Sequence, residues 1–373
     1  MGMPAATAVN QIAAQRGAKR VALIASKTLN RKTEKVAEIA AALGSQCVGV
    51  FDGTVEHVPR ASVIEATQFL RDTKADLVCT IGGGTPLDTI KIALQCLAAN
   101  VTDAAGIDAL AVKANADGVR VYPEIADPPI RQIAVPTTLS GAEFSDLGGC
   151  VDPETKIKHM HTGRFIGPVN IILDPRMTLH TPQALWLSTG VRALDHAVET
   201  LCSTAPETIA DGCALHAIRL LGKSLRRNLE TPDDLDARLD SQTGVWLACM
   251  GLNRVPYGAS HGIGHQLGAV AGVPHGHTSC VMLPHVMRYN VPATAEKQAL
   301  IADALGHHGG KAADAMAALI ADLGQPTRLR DVGVRQDQLG QIAEGALQNH
   351  WVQANPVPLE TPSKLRTLLD AAF

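Results

Sequence analysis

At 373 residues the chain exceeds what one hydrophobic core ordinarily organises, which predicts two domains. Lys and Arg (33) nearly balance Asp and Glu (36) with no basic run, and aromatic residues are only 3%, so neither duplex nor single-stranded nucleic acid is an expected partner. No apolar stretch reaches the roughly 18 residues of a membrane span, and MGMPAATAVNQIAAQRGAKR lacks the apolar centre of a signal peptide, so no membrane partner and a cytoplasmic location are expected.

In chain order, VALIAS (21–26), CVGVFD (47–52), DLVCTIGG (76–83) and RQIAVPTT (131–138) read as buried strands of nearly continuous apolar character. KTEKVAEIAAALG and VIEATQFLRDTKA, between them, carry apolar residues at helical spacing. This alternation predicts an α/β domain built on a doubly wound parallel sheet. ANADGVRVYPEIADPP reads as a surface loop. After NIILDPRMTLHTPQ the pattern changes, and from about Pro182 onward the segments have helical periodicity, as in LDHAVETLC and KAADAMAALIADLG. The predicted domains are therefore residues 1–176, α/β, and 177–373, all helical. The eight cysteines are scattered without a CxxC pair and read as small core residues of a reducing compartment.

The third strand runs into Gly82, Gly83, Gly84, Thr85, Pro86, Leu87 and Asp88. Glycines at a strand end let a pyrophosphate approach the backbone, and the following helix offers free N–H groups and a positive dipole end. The loop matches neither GxGxxG nor a Walker loop. A second polar strand end, VPTTLSGAE, supplies Thr137, Thr138 and Ser140 at the edge where open parallel sheets bind ligands.

Four histidines fall within GASHGIGHQLGAVAGVPHGH, residues 258–277. His261 and His265 are four apart and share one helix face; His275 follows a break at Pro274. His196 and Glu199 lie on an upstream helix, and His277, His285, His307, His308 and His350 read as structural. Such histidines suit Fe²⁺ or Zn²⁺. One turn before His196, however, stands Arg192, whose permanent charge repels a dication and suits a substrate carboxylate. Asp195, stepping about 100° around the helix per residue, is expected to be a poor substitute for a carboxylate at position 192.

GGGTPLD, PTTLSGAE, GVRALDHAVE, SHGIGHQLGAVAGVPHG, LPHVMRYN and LRDVGV together resemble the iron-containing, or group III, alcohol dehydrogenases over nearly the whole chain. The resemblance implies a nucleotide-binding domain and a helical domain with a cleft between them, the frame also used by dehydroquinate synthase-like enzymes. It further implies NAD(P)-dependent hydride transfer and a homodimer. Carried over residue by residue, it places pyrophosphate contacts on Gly83, Gly84 and Thr85 with Asp88 nearby, and further cofactor contacts on Thr137, Thr138, Ser140 and Lys158. The family's metal ligands fall on Arg192, His196, His261 and His275, and its histidine beside the nicotinamide falls on His265.

Three departures stand out. Arg192 replaces the metal-binding aspartate of the family pattern GxDALxHAxE; PTTLSGAE has the shortened form of the maleylacetate reductase branch; and the strand that usually precedes the first helix is missing or truncated. Ser26, followed by Lys27, stands where NAD-selective members carry an aspartate for the ribose, so NADP is admissible beside NAD. The leading expectation is a maleylacetate reductase-like enzyme acting on a small acidic unsaturated or keto substrate, with maleylacetate to 3-oxoadipate as the specific choice. In it Arg192 binds a carboxylate or polarises a carbonyl, His265 donates the proton, and His196, His261, His275 and Tyr257 contact substrate oxygens. The alternative is a metal-dependent alcohol dehydrogenase with Fe²⁺ or Zn²⁺ on His196, His261 and His275.

Overall fold

The computed structural model describes residues 1–115, 120–152 and 158–373, apart from the side chains of Ala114 and Lys158. The chain divides into two compact units: residues 1–138 with 142–180, and residues 139–141 with 181–373.

The first unit is built on five parallel strands in the order β2-β1-β3-β6-β9. They are β1 (Val21–Ala25), β2 (Cys47–Phe51), β3 (Leu77–Gly82), β6 (Arg131–Pro136) and β9 (Asn170–Ile171). Alternation along β1 shows why both faces are covered. Val21, Leu23 and Ala25 pack with α1 (Ala5–Gln15) and α3 (Lys35–Leu43), which follows the short α2 (Lys27–Lys32). Ala22 and Ile24 pack instead with α4 (Arg60–Asp72) and α5 (Gly84–Ala98). The expected doubly wound α/β sheet is thus present, with its four sequence-read strands in place. Within the expected surface loop, β4 (Lys113–Ala114) pairs antiparallel with β5 (Arg120–Val121), while residues 116–119 lie outside the described residues. A second antiparallel pair, β7 (Leu147–Val151) with β8 (Lys158–Thr162), has no counterpart in the sequence reading.

Every regular element of the second unit is helical. The elements are α6 (Gln183–Leu201), α7 (Thr208–Glu230), α8 (Leu235–Ala248), α9 (Ala259–Ala271), α10 (His275–Ala304, kinked at Thr294), α11 (Ala312–Asp322), α12 (Leu339–Leu347), α13 (His350–Gln353) and α14 (Pro362–Ala372), with short 3₁₀ turns between some of them. Helix α6 is buried without a break from Trp186 to Leu201 and packs on α7, α8 and α10. A helix buried all round must satisfy its polar side chains internally, and α6 carries Arg192, Asp195, His196 and Glu199. Gly272, left-handed at φ 67°, ends α9, and Pro274 caps the start of α10, which is the expected reversal after the histidine pair. Among the described residues, no helix is long and apolar enough to cross a membrane.

Candidate active site

In the first unit the sheet register assembles a strand-end cradle. β3 and β6 end in step, Gly82 opposite Pro136, and the Thr137 N–H donates to the Gly82 carbonyl at 2.9 Å. The Ser26 N–H donates to the Ile81 carbonyl at 3.0 Å. Ser26, Gly82, Gly83, Gly84, Thr137 and Thr138 therefore meet at the carboxyl edge of three adjacent strands. Two glycines are required there by space. Gly82 has φ 154° and a Cβ on it would lie 2.6 Å from Pro86; a Cβ on Gly83 would lie 2.8 Å from the Thr138 methyl. Gly83 caps α5 without a side-chain hydrogen bond, so the first N–H groups of the helix face outward, as a diphosphate needs. Asp88 sits one turn further in and accepts the Gly149 N–H at 3.2 Å. Lys158 opens β8, and its side chain lies outside the described residues. Ser140 belongs to the second unit, where its backbone hydrogen-bonds His196.

The second unit holds a buried polar cluster on α6, α9 and α10. Arg192 Nη1 donates to Ser279 Oγ at 3.0 Å and lies 3.6 Å from Asp195 Oδ2. The same Asp195 oxygen accepts hydrogen bonds from Ser260 Oγ at 2.8 Å and Ser279 Oγ at 2.6 Å. The expectation for Asp195 needs correction: three steps of about 100° leave it only about 60° from Arg192, so the two share a face. Glu199 caps α9, accepting the N–H of Gly258 at 3.0 Å and of Ser260 at 2.8 Å. His261 Nδ1 lies 2.7 Å from Glu199 Oε2, and its Nε2 lies 2.9 Å from His196 Nδ1. A carboxylate and two imidazoles thus form one hydrogen-bonded chain.

Burial sets the protonation states. It pushes Glu199 up to about 7, against the pull of three backbone N–H groups and Arg192. It holds His261 and His196 well below the usual imidazole range, with the Arg192 charge adding to the effect on both and the neighbouring His261 adding to it at His196. Burial also raises Asp195, against the opposing pull of His261 and Arg192, and raises Tyr257 well above 10. Both histidines of the chain are therefore neutral, and Arg192 is the fixed positive charge of the cluster.

The remaining expected residues divide. Tyr257 is buried with its ring centroid 4.6 Å from His261 and 5.5 Å from His196. His265 is half-buried, 4.7 Å from the Trp351 ring, with Nδ1 3.4 Å from Asn349 Nδ2. His275 is exposed at the start of α10, its ring centroid 6.1 Å from that of His265. Sequence reading assigned nothing to Trp351, Asn349, Ser260 or Ser279, which lie far along the chain or look like ordinary helix residues. Glu199 was visible beside His196, and its separation from His196 by one short step hid its role as the cap of another helix.

The donor chemistry tests whether these residues fit a divalent metal. His196, His261 and His275 do not form a three-donor set among the described residues; Asp195, Glu199 and His261 do, with ligand atoms within 4.8 Å of one another. Asp195 Oδ1 is buried without a hydrogen-bond partner and is the one donor atom left open. The other donors are already engaged: both Glu199 oxygens by backbone N–H groups, Asp195 Oδ2 by two hydroxyls, and His261 Nε2 by His196. With a guanidinium 3.6 Å from Asp195 the cluster does not fit a dication while Arg192 stands in it.

Comparison with known proteins covers nearly the whole chain. Residues 1–175 match the family model of iron-containing alcohol dehydrogenases, and residues 186–373 match that of the C-terminal part of the same family. The chain is 34% identical to "Dehydrogenase FUM7" of Gibberella moniliformis over 95% of its length and 91% of that protein's. It is 30% identical to the maleylacetate reductase of Pseudomonas knackmussii over 86% of its length and 81% of that protein's. The crystal structure of an alcohol dehydrogenase from Oenococcus oeni superposes with a TM-score of 0.89 at 27% identity, covering all of this chain and 97% of that one.

Proposed function

Because the chain belongs to the iron-containing alcohol dehydrogenase family, we propose that it reduces a small acidic carbonyl or unsaturated compound, maleylacetate to 3-oxoadipate being the specific choice. The protein is an NAD(P)-dependent oxidoreductase. The observation that carries the substrate class is Arg192, a buried guanidinium where the family pattern has its metal-binding aspartate.

A dinucleotide diphosphate would be held by the free N–H groups of Gly84 and Thr85 at the start of α5, with Thr137 and Thr138 at the neighbouring strand end. When bound, the reduced nicotinamide supplies a hydride. Arg192, held by Ser279 and Asp195, opposes the negative charge that develops on the substrate oxygen and pairs with a substrate carboxylate. His265, its ring steadied by Trp351 and Asn349, delivers the proton. His196 and His261, both neutral, line the cluster beside Arg192 without adding charge; His261 has both ring nitrogens engaged, by Glu199 and His196, and Tyr257 packs against the pair. His275, exposed beside His265, contributes at the rim.

A second reading has one observation in its favour. Asp195, Glu199 and His261 converge in a three-donor geometry, which supports a metal-dependent alcohol dehydrogenase of the alternative donor set. A screen of NADH and NADPH oxidation against maleylacetate, short keto acids and short aldehydes separates the two. Maleylacetate or another dicarboxylate turning over at least about a hundredfold faster than uncharged aldehydes supports the arginine reading. Faster turnover of uncharged aldehydes counts against it.

A further inference from the structure

Lys91 lies in the middle of α5 with no solvent exposure. Burying an ammonium is costly unless opposite charge and acceptors surround it. Its Nζ donates to the carbonyls of Ala142 and Leu147, each at 2.6 Å, and to Ser145 Oγ at 3.4 Å, and lies 3.6 Å from Asp88 Oδ1. The carboxylates of Asp88, Glu143 and Asp146 oppose the depression that burial imposes on it. Glu143 is itself buried, with Oε2 lacking a hydrogen-bond partner, and burial raises its carboxyl to about 7 against the pull of a backbone N–H and of the Lys91 charge. Lys91 and Glu143 are thus buried together next to the helix end that forms the glycine cradle, with Asp88 half-buried and Asp146 exposed beside them. Asp88 is four residues from Gly84, and the segment that Lys91 ties to α5 begins four residues after Thr138.

We propose that Lys91 is a positioning residue of the dinucleotide site: it cancels the charge of Asp88 and Glu143 behind the cradle and fastens the segment from Ala142 to Leu147 onto α5. The proposal rests on the reading of Gly82–Thr85 as a diphosphate site. Without Lys91 the carboxylates would face a bound diphosphate across a poorly solvated protein interior, where like charges repel strongly. A purely structural lysine would give a different pattern: Lys91→Met would lower the denaturation midpoint while the folded fraction bound NADH as before, and Glu143→Gln alone would leave NADH affinity unchanged.

The test is NADH binding to the full chain, measured by fluorescence titration at about pH 8.5, above the value of about 7 to which burial raises Glu143. Lys91→Met should weaken NADH about tenfold or more, and Lys91→Met with Glu143→Gln should recover at least about half of that loss on a logarithmic scale. Glu143→Gln alone, which keeps the lysine and so remains informative should Lys91→Met fail to fold, should tighten NADH about twofold to threefold. Unchanged binding in Lys91→Met, an absence of recovery in the double variant, or weaker binding in Glu143→Gln alone would overturn the proposal. If ADP fails to compete with NADH on the unaltered protein, the diphosphate reading itself falls, which is a separable result.

Discussion

The two units each hold a candidate site, and they use opposite materials. In the first unit the cradle is made of backbone, and its side chains matter chiefly by being absent at Gly82 and Gly83. In the second unit the cluster is made chiefly of side chains, drawn from α6, α9 and α10 and buried. A backbone site tolerates little change in shape; a side-chain cluster tolerates little change in charge. Each unit also holds one buried carboxyl lifted to about 7, Glu143 in the first and Glu199 in the second.

Changes of charge in the second unit should therefore have the largest effect. Arg192→Ala should lower kcat/KM by about 10³-fold, the scale of losing a preorganised charged donor, and Arg192→Lys should not rescue it because an ammonium cannot keep the planar grip. Steady-state kinetics on the substrate found by the screen checks this, and retention of more than about a tenth of the activity in Arg192→Ala would break the comparison.

The buried carboxyl of the second unit gives the next effect. Glu199 is raised in the folded protein, so the unfolded state releases its proton first as pH rises. Its contribution therefore favours folding below pH about 4.5, is lost between about 4.5 and 7, and is constant above. That loss amounts to about 3 kcal/mol, and Glu199→Gln should flatten the fall in denaturation midpoint over this window by a corresponding amount. An unaltered slope would mean that Glu199 is ionised throughout.

Shape changes in the first unit should be smaller and confined to cofactor binding. Gly83→Ala puts a methyl 2.8 Å from the Thr138 methyl and should weaken NADH binding about tenfold, with the pH dependence of stability unaltered. Ser26→Asp, which adds a carboxylate at the end of β1, should disfavour NADPH relative to NADH by about threefold to tenfold. Equal changes for both cofactors would show that Ser26 does not face the ribose.

The same contrast explains what the sequence made legible. The cradle is encoded locally, by consecutive glycines after an apolar run, and the strands carrying it stand out through their continuous burial. The second unit's cluster depends on which faces of three helices meet, and single-helix spacing misleads there. Asp195 seemed turned away when counted per residue, yet the i, i+3 step returns it to Arg192. His275 seemed equivalent to His261 by motif, yet one is exposed and the other fully buried. Trp351, ninety residues past His261, carries no local sign that it backs the histidines. Lys91 was in plain view within the helix after the glycines, and only its burial reveals its task.

The central claim is that Arg192 supplies the positive charge of the second unit. The most direct measurement is metal analysis of the purified protein together with turnover before and after exhaustive chelation. The account predicts no stoichiometric divalent metal and unchanged turnover. A stoichiometric metal whose removal abolishes activity, with Fe²⁺ or Zn²⁺ restoring it, would contradict the account.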